Sequence, residues 1–262
     1  MATPMRIAVA GATGRLGPHV VDVARERGHD VVAMSRGTGV DVVTGEGLAE
    51  ALAGVECIVD AATGASPDQQ EATRFFEAAA RNLHAYGERA GVRRMVEVSI
   101  IGVDRAAGGY SAAKLAHEQA MLAGPVPVRI LRAAQFFELV PQLIEWGRQG
   151  DVAYVTRMRT QPVAARAVAE ALVDLATDLA AVPAPGAATA PVLEIAGPRE
   201  EDPIDMATRY AARRGDAVRI EGVSDPADPD RELNEGGGLL PGPGATLAGV
   251  TWDEWLDAEA PV

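Results

Sequence analysis

Tyr110 and Lys114 are four positions apart, the spacing that places two side chains on one face of a helix. Lys114 is the only lysine of the chain, whose other basic residues are all arginines. A free phenol has a pKa of about 10, and a cation beside it stabilises the phenolate. An ammonium is a compact charge on a flexible stem, whereas a guanidinium is broad and forked. The pair therefore indicates acid–base chemistry, although a solvated lysine beside a half-buried tyrosine would show the same spacing.

A second group of residues suited to chemistry is the glycine-rich segment 11–17, which joins an apolar run to a helical stretch. Glycines three residues apart give a tight turn, a close approach of the backbone to a pyrophosphate, and close packing of helix on strand. The phosphates then lie at the helix N-terminus. The segment predicts a dinucleotide site, and its arginine offers a cation. The residues assigned to it are Gly11, Thr13, Gly14, Arg15, Leu16 and Gly17.

The residues after the second predicted strand favour NADP(H) over NAD(H). An NAD site offers an acid there for the ribose 2′-hydroxyl, whereas an NADP site offers arginine for the 2′-phosphate. This chain has Ser35 and Arg36, with no acid before Asp41, which we expect to bond the adenine. The small residues Ala61 and Ala62 follow a later strand, where they let the backbone pass the adenosine ribose.

Along the chain, short β-branched runs alternate with longer Ala- and Leu-rich stretches, and these are the strands and helices that hold the residues above. We predict strands at 5–10, 30–35, 40–42, 56–61, 94–99, 126–131, 192–195 and 217–220. We predict helices at 16–27, 47–52, 69–90, 111–122, 136–148 and 164–179, with a short last helix around Trp252 and Trp255. Segments 183–191, 222–229 and 236–244 are predicted loops.

This order predicts an α/β fold, a Rossmann-type doubly wound parallel sheet with a smaller C-terminal substrate-binding lobe. We expect one domain over residues 1–262, with a cofactor-binding core to about residue 150 and the lobe over about 151–262.

The composition limits the partners. A net charge of −13 argues against nucleic acid or an anionic membrane. No apolar run is long enough for a membrane span, and no secretory signal is visible, so we expect a cytoplasmic protein. The four histidines show no ligand spacing, so no metal is predicted. Cys57 lies in an apolar run and is predicted to be a small buried hydrophobe, and His117 a surface or packing residue.

The chain resembles the short-chain dehydrogenase/reductase superfamily, and within it the atypical and extended NmrA-like NAD(P)-binding proteins. The resemblance is carried by the glycine spacing after strand one, by Ser99 at a strand end, by Tyr110-x-x-x-Lys114, and by residues 131–136, Leu-Arg-Ala-Ala-Gln-Phe. It covers about residues 5–140.

The resemblance implies roles for these positions. Ser99 would position a substrate carbonyl, Tyr110 would donate or accept the proton, and Lys114 would bond the nicotinamide ribose and favour ionisation of the tyrosine. Ala133 would border the cofactor. The expected substrate is a small carbonyl compound, apolar or aromatic. Candidate substrate residues are Ile100, Ile101, Gln135 and Phe136, although the last may equally be a buried helix start.

Two other functions stay open. One is a non-catalytic NADP(H)-sensing regulator, which NmrA-like proteins include; the other is an epimerase or dehydratase that retains its cofactor. The sequence is compatible with a monomer or a homodimer.

Overall fold

The computed structural model describes residues 3–178 and 192–258. Its strands are β1 (Arg6–Ala10), β2 (Asp30–Met34), β3 (Cys57–Asp60), β4 (Arg94–Ile100), β5 (Val128–Ala133), β6 (Arg148–Gln149), β7 (Val152–Thr156), β8 (Leu193–Ala196), β9 (Arg219–Val223) and β10 (Thr246–Leu247). Its helices are α1 (Gly17–Glu26), α2 (Leu48–Ala51), α3 (Gln69–Ala90), α4 (Gly109–Leu122), α5 (Val140–Gly147), α6 (Ala165–Thr177), α7 (Pro203–Arg213), α8 (Arg231–Glu235) and α9 (Trp252–Ala258).

Seven of these strands form one parallel sheet in the order β10-β8-β5-β4-β3-β1-β2. The chain moves from β1 to β2 in one direction and then passes back across β1 to β3. The crevice at the carboxyl ends of β1 and β3 is therefore the switch point where open α/β sheets bind ligands. The predicted doubly wound Rossmann fold is confirmed.

Helices cover both faces of the sheet, as the continuous apolar strands require. On one face, α1 and α6 pack together, with Val20 and Val168 fully buried among strand residues. On the other face, Leu83 of α3 and Met121 of α4 are fully buried. Cys57 is fully buried in β3, as predicted, and burial raises the pKa of its thiol to about 12.

A smaller unit consists of the sheet β6-β7-β9 with α5, α7 and α9 around a separate apolar core. The rings of Trp252 and Trp255 stack at 5.0 Å there and contact Phe137, so the last helix is anchored as predicted. The chain passes between the two units more than once, because β8 and β10 belong to the large sheet and α6 packs on it. The cofactor-binding core and the smaller lobe therefore do not divide at one position near residue 150, as was expected.

One predicted strand was wrong, and one predicted helix begins with a different kind of turn. Residues 40–42 form no strand, because Asp41 Oδ1 accepts hydrogen bonds from the backbone N–H groups of Val43 and Thr44 at 2.7 and 3.3 Å, which closes a turn. The predicted helix 136–148 is confirmed over 137–147, where its first turn, 137–139, is 3-10 and the rest is α5, which starts beside Pro141. The predicted loop 183–191 lies outside the described residues.

Five elements, all in the second half of the chain, were not predicted from the sequence: β6, β7, α7, α8 and β10. Most are short, and four of these five belong to the smaller unit or to the edge of the large sheet.

Candidate active site

The glycine-rich segment forms a tight turn between the end of β1 and the start of α1. Gly11 has φ = 74°, and a Cβ there would lie 2.5 Å from the Ala61 carbonyl oxygen. A Cβ on Gly17 would lie 2.1 Å from the carbonyl oxygen of Gly11. Both positions are therefore restricted to glycine by backbone contact, as the predicted close packing requires.

The start of α1 keeps free amides. Its N-cap residue, Leu16, makes no capping hydrogen bond with its side chain, and Pro18 occupies one of the first helical positions. An anionic phosphate would satisfy the unpaired N–H groups and the helix dipole. Thr13, Gly14 and Arg15 lie just before this helix start and are solvent-exposed. The segment therefore suits the binding of a pyrophosphate.

Ser35 and Arg36 follow β2 at the same sheet edge. Ser35 opens a 3-10 turn whose Thr38 hydroxyl accepts a hydrogen bond from the Ser35 N–H at 2.9 Å. Arg36 is exposed, and none of the described residues pairs with its guanidinium. Asp41 is half-buried and its carboxylate closes the turn described above, so its predicted bond to adenine stays a prediction.

Tyr110 stands in the first turn of α4, beside the carboxyl end of β3. Its hydroxyl lies 2.7 Å from the Thr63 hydroxyl oxygen, and its ring meets the edge of Phe76 with centroids 5.9 Å apart. The side chain is half-buried. Tyr110 is thus fixed at the edge of the sheet where the glycine turn also lies.

Ser99 lies near the end of β4 and is 3% exposed. Its Oγ has no hydrogen-bond partner among the described residues. A buried hydroxyl without a partner costs about 1–3 kcal/mol, and a ligand oxygen would relieve that cost. The hydroxyl is closed off from solvent, so contact with a ligand oxygen requires the side chain to turn toward this edge.

Lys114 is part of a buried ionic cluster, which we define as Asp60, Glu97, Lys114 and His117. Lys114 Nζ donates hydrogen bonds to Glu97 Oε1 at 3.0 Å and to the Val98 carbonyl oxygen at 2.9 Å. It also lies 3.0 Å from His117 Nδ1, and its side chain is 6% exposed.

The imidazole of His117 joins two carboxylates of this cluster. Nδ1 lies 2.8 Å from Glu97 Oε1, and Nε2 lies 3.2 Å from Asp60 Oδ2; both contacts are at ion-pair distance but without hydrogen-bond alignment. The ring stacks on Phe76 with centroids 4.6 Å apart. His117 is fully buried, so its predicted packing role holds and its surface role was wrong.

The environment of the cluster shifts two pKa values. Burial and Lys114 lower the pKa of His117, but Glu97 and Asp60 raise it by more, so it lies above the usual 6.5. Burial raises the pKa of Asp60, but His117, the Ala62 N–H and Lys114 together hold it below the usual 3.8.

These shifts predict the pH dependence of stability. His117 stabilises the fold fully below pH 6.5, and its contribution is lost as the pH rises through its higher folded-state pKa. Asp60 contributes above pH 3.8, and its contribution is lost as the pH falls through its lowered pKa. We expect His117→Gln to remove the loss on the alkaline side, measured by urea unfolding across pH 4–9. An identical alkaline slope in the variant would contradict the assignment.

The residues predicted to border the substrate lie between the large sheet and the smaller unit. Ile101 is fully buried and Ile100 half-buried, while Gln135 accepts a hydrogen bond from the Thr160 hydroxyl. Phe136 and Gln135 line a narrow apolar cleft with Met158. Ala133 is buried at the end of β5.

Met158 also borders a wider cleft of about 330 Å³ in the smaller unit. Its charged lining includes Arg157, Arg159 and Glu200, of which the last two form a paired hydrogen bond at 2.8 and 3.1 Å. The volume is within the range of small-molecule sites.

Glu97, Thr63 and Phe76 were not predicted to belong to the site, and Asp60 was given no role. One feature could have found the acids: Asp60 and Glu97 are charged positions inside otherwise apolar strands, and buried charges need partners. His117, three residues after Lys114, shares its helical face.

Comparisons with known proteins agree with this geometry. The family model described as NAD(P)H-binding matches residues 11–178. The photosystem II assembly factor Ycf39 of Synechocystis is 30% identical over 111 residues, which are 37% of this chain and 34% of that protein. The match thus spans about a third of the relative's length.

Solved structures share the fold. A short-chain dehydrogenase/reductase superfamily protein from Agrobacterium tumefaciens, with bound NAD, has a TM-score of 0.64 at 21% identity, covering 96% of this chain and 95% of that one. The dTDP-4-dehydrorhamnose reductase of Bacillus anthracis, in complex with NADP, has a TM-score of 0.68 at 16% identity, covering 98% of each chain. The enzyme WbmG of Bordetella bronchiseptica, in complex with NAD, has a TM-score of 0.68 at 16% identity, covering 98% and 93%.

The fold and the glycine turn define a Rossmann-type nucleotide-binding protein. The chain belongs to the NAD(P)H-binding family whose model it matches, and it shares the fold of a solved member of the short-chain dehydrogenase/reductase superfamily, as the predicted resemblance implies. Within the described residues, no helix has the length and apolar character needed to cross a bilayer.

Proposed function

We propose that this protein is an NADP(H)-dependent oxidoreductase that interconverts a small carbonyl compound and its alcohol, with Tyr110 as the acid–base residue. The observation that carries the proposal is the position of Tyr110, whose hydroxyl is held 2.7 Å from Thr63 at the sheet edge that also carries the glycine turn. Family membership supports the cofactor, and the match of fold to reductases supports the reaction class.

Each residue then has a defined task. The bound nicotinamide would supply or accept a hydride. Tyr110 would protonate the substrate oxygen in reduction, and Ser99 would donate its unpaired hydroxyl to that oxygen. The buried charge of Lys114, below Tyr110 on α4, would stabilise the phenolate left behind.

The substrate would border the apolar residues around Phe136, whose own cleft of about 20 Å³ has room for only about one water molecule. Because that lining is largely apolar, an apolar or aromatic carbonyl compound fits it better than a charged one. The wider cleft at Met158 would accept the remainder of a larger substrate.

The preference for NADPH is tested at Arg36. In the complex, the guanidinium of Arg36 would donate a charge-assisted hydrogen bond to the 2′-phosphate. Such a bond contributes about 1.5–3 kcal/mol, so its loss weakens NADPH binding by about 10- to 100-fold. We expect Arg36→Ala to weaken NADPH binding by that factor and to leave NADH binding unchanged, both measured by fluorescence titration.

Arg25→Ala is the matched control, because Arg25 is an exposed arginine at the opposite end of α1 from the glycine turn. Equal weakening of NADH and NADPH by Arg36→Ala would contradict the phosphate contact. Failure of the wild-type protein to bind either nucleotide would overturn the proposed function.

A nucleotide-sensing protein without catalysis is the second candidate, and the enclosure of Lys114 favours it. Its side chain is 6% exposed and faces the ionic cluster, so a direct contact with a ribose requires the ammonium to turn outward. Nucleotide binding without Tyr110-dependent turnover on any carbonyl compound would support the sensor.

A further inference from the structure

The contacts of His117 in the ionic cluster cannot all form in a single protonation state of its imidazole. His117 Nδ1 lies 3.0 Å from Lys114 Nζ and 2.8 Å from Glu97 Oε1. An imidazole nitrogen that carries a proton can donate to Glu97 but cannot accept from Lys114. One that lacks the proton can accept from Lys114 but cannot donate to Glu97. The two contacts therefore belong to two different states of the imidazole.

At low pH, the net charge of the ionic cluster decides which protonation state of His117 is favoured. Asp60 and Glu97 bring two negative charges, and Lys114 brings one positive charge. All three side chains are buried, and α3 contributes the ring of Phe76 to the same space. A neutral imidazole leaves a net charge of −1 in the interior, whereas an imidazolium balances the cluster. Because an unbalanced buried charge is costly, the imidazolium is favoured.

The two states differ in what they leave to Lys114. An ammonium has three N–H donors, of which Glu97 and the Val98 carbonyl take two. With a neutral His117, Nδ1 takes the third, and none is left. With an imidazolium, the third donor has no acceptor in the cluster: Nζ lies 4.7 Å from the centroid of the Phe76 ring, and this donor can reach a ribose once the ammonium turns outward.

We propose that His117 is a positioning residue that controls Lys114: as an imidazolium it forms an ion pair with Glu97 and leaves Lys114 one N–H for the nucleotide ribose, and as a neutral imidazole it withdraws that N–H. This inference rests on the proposed function, because it requires Lys114 to serve a bound nicotinamide nucleotide. It makes nucleotide affinity depend on a histidine that touches neither cofactor nor substrate.

The first test is the titration of His117 by NMR of its imidazole Cε1–H group, with and without NADPH. His19→Gln, His29→Gln and His84→Gln assign the remaining signal by elimination. The midpoint of His117 in the free protein is expected above 6.5. Because linkage is reciprocal, NADPH is expected to raise that midpoint by about one pH unit if the released donor is worth about tenfold in affinity.

The second test compares NADPH affinity from pH 5.5 to 8.5 in the wild-type protein and in His117→Gln. The 2′-phosphate of NADPH itself titrates near pH 6, a change that both proteins share. Beyond that shared change, the wild type is expected to lose about tenfold in affinity across the His117 midpoint, and the variant is expected to show no further loss. Glu118→Gln is the control, since Glu118 is a buried carboxylate on the same helix that pairs with Arg132 and not with Lys114.

The outcomes separate the two proposals. An unchanged His117 midpoint on NADPH binding, or a pH dependence retained in His117→Gln, would overturn the role of His117 while leaving the proposed function intact. The NMR measurement on the wild type decides the question even where His117→Gln does not fold. Absence of nucleotide binding at every pH would overturn the proposed function first, and a free-protein midpoint at or below 6.5 would independently overturn the imidazolium.

Discussion

Tyr110→Phe is expected to lower the turnover of carbonyl reduction by about 10²- to 10⁴-fold while leaving NADPH affinity nearly unchanged. The reason is that proton donation by a positioned side chain contributes about that factor, whereas the ring itself keeps its place against Phe76. Loss of the contact with the Thr63 hydroxyl is expected to cost only about 1 kcal/mol of stability. The measurement is NADPH oxidation with a panel of small apolar and aromatic ketones, beside a fluorescence titration of NADPH.

Tyr86→Phe is the matched control for this variant. Tyr86 is a half-buried tyrosine on α3 whose ring packs near Gly45 and under Arg89. It should keep wild-type turnover. Full activity in Tyr110→Phe would show that another group donates the proton, and a parallel collapse of NADPH binding would indicate that the hydroxyl supports the cofactor site instead.

Glu97→Leu is expected to destabilise the fold by about 3–5 kcal/mol, the usual cost of removing one partner from a buried ion pair. Glu97 is fully buried and contacts both cations of the cluster, so its loss leaves Lys114 and His117 with Asp60 as their only carboxylate within the cluster. The free energy of unfolding in urea, measured with circular dichroism, gives the change directly.

Glu145→Gln provides the contrast, because Glu145 forms an exposed pair with Arg148 on the surface of α5. Exposed pairs contribute about 0–1 kcal/mol, so this variant should stay close to wild type. A cost below about 1 kcal/mol for Glu97→Leu would mean that the cluster is not an energetic unit. Glu97→Gln, which keeps an acceptor for Lys114, should fall between the two.

The sequence was most informative where local rules decide the structure. Strands of the first half are buried on both faces, so their apolar runs are nearly continuous and their positions could be predicted. The glycine spacing defined the turn because only glycine fits a backbone contact as close as that of Gly17. The shared helical face of Tyr110 and Lys114 followed from the period of the helix alone.

The partners of Lys114 could not be predicted in the same way. They come from β3, β4 and α4, which approach one another only when the sheet is assembled, and no spacing along the chain specifies Asp60 opposite His117. The second half was harder for a different reason. Its strands β6 and β10 are two residues long, too short for any periodic pattern, and α5 follows a 3-10 turn within one apolar run.

The return of the chain to the large sheet has a consequence for biosynthesis. The outer edge of β5 pairs with β8, and β8 in turn pairs with β10, so the sheet is complete only when residue 247 has been made. Until β8 is made, a growing chain presents the backbone of β5 as an unpaired edge, and until β10 is made it presents that of β8, the kind of surface that recruits other strands. The synthesis of β8 and β10, rather than that of the glycine turn, therefore sets the moment at which this sheet can be completed.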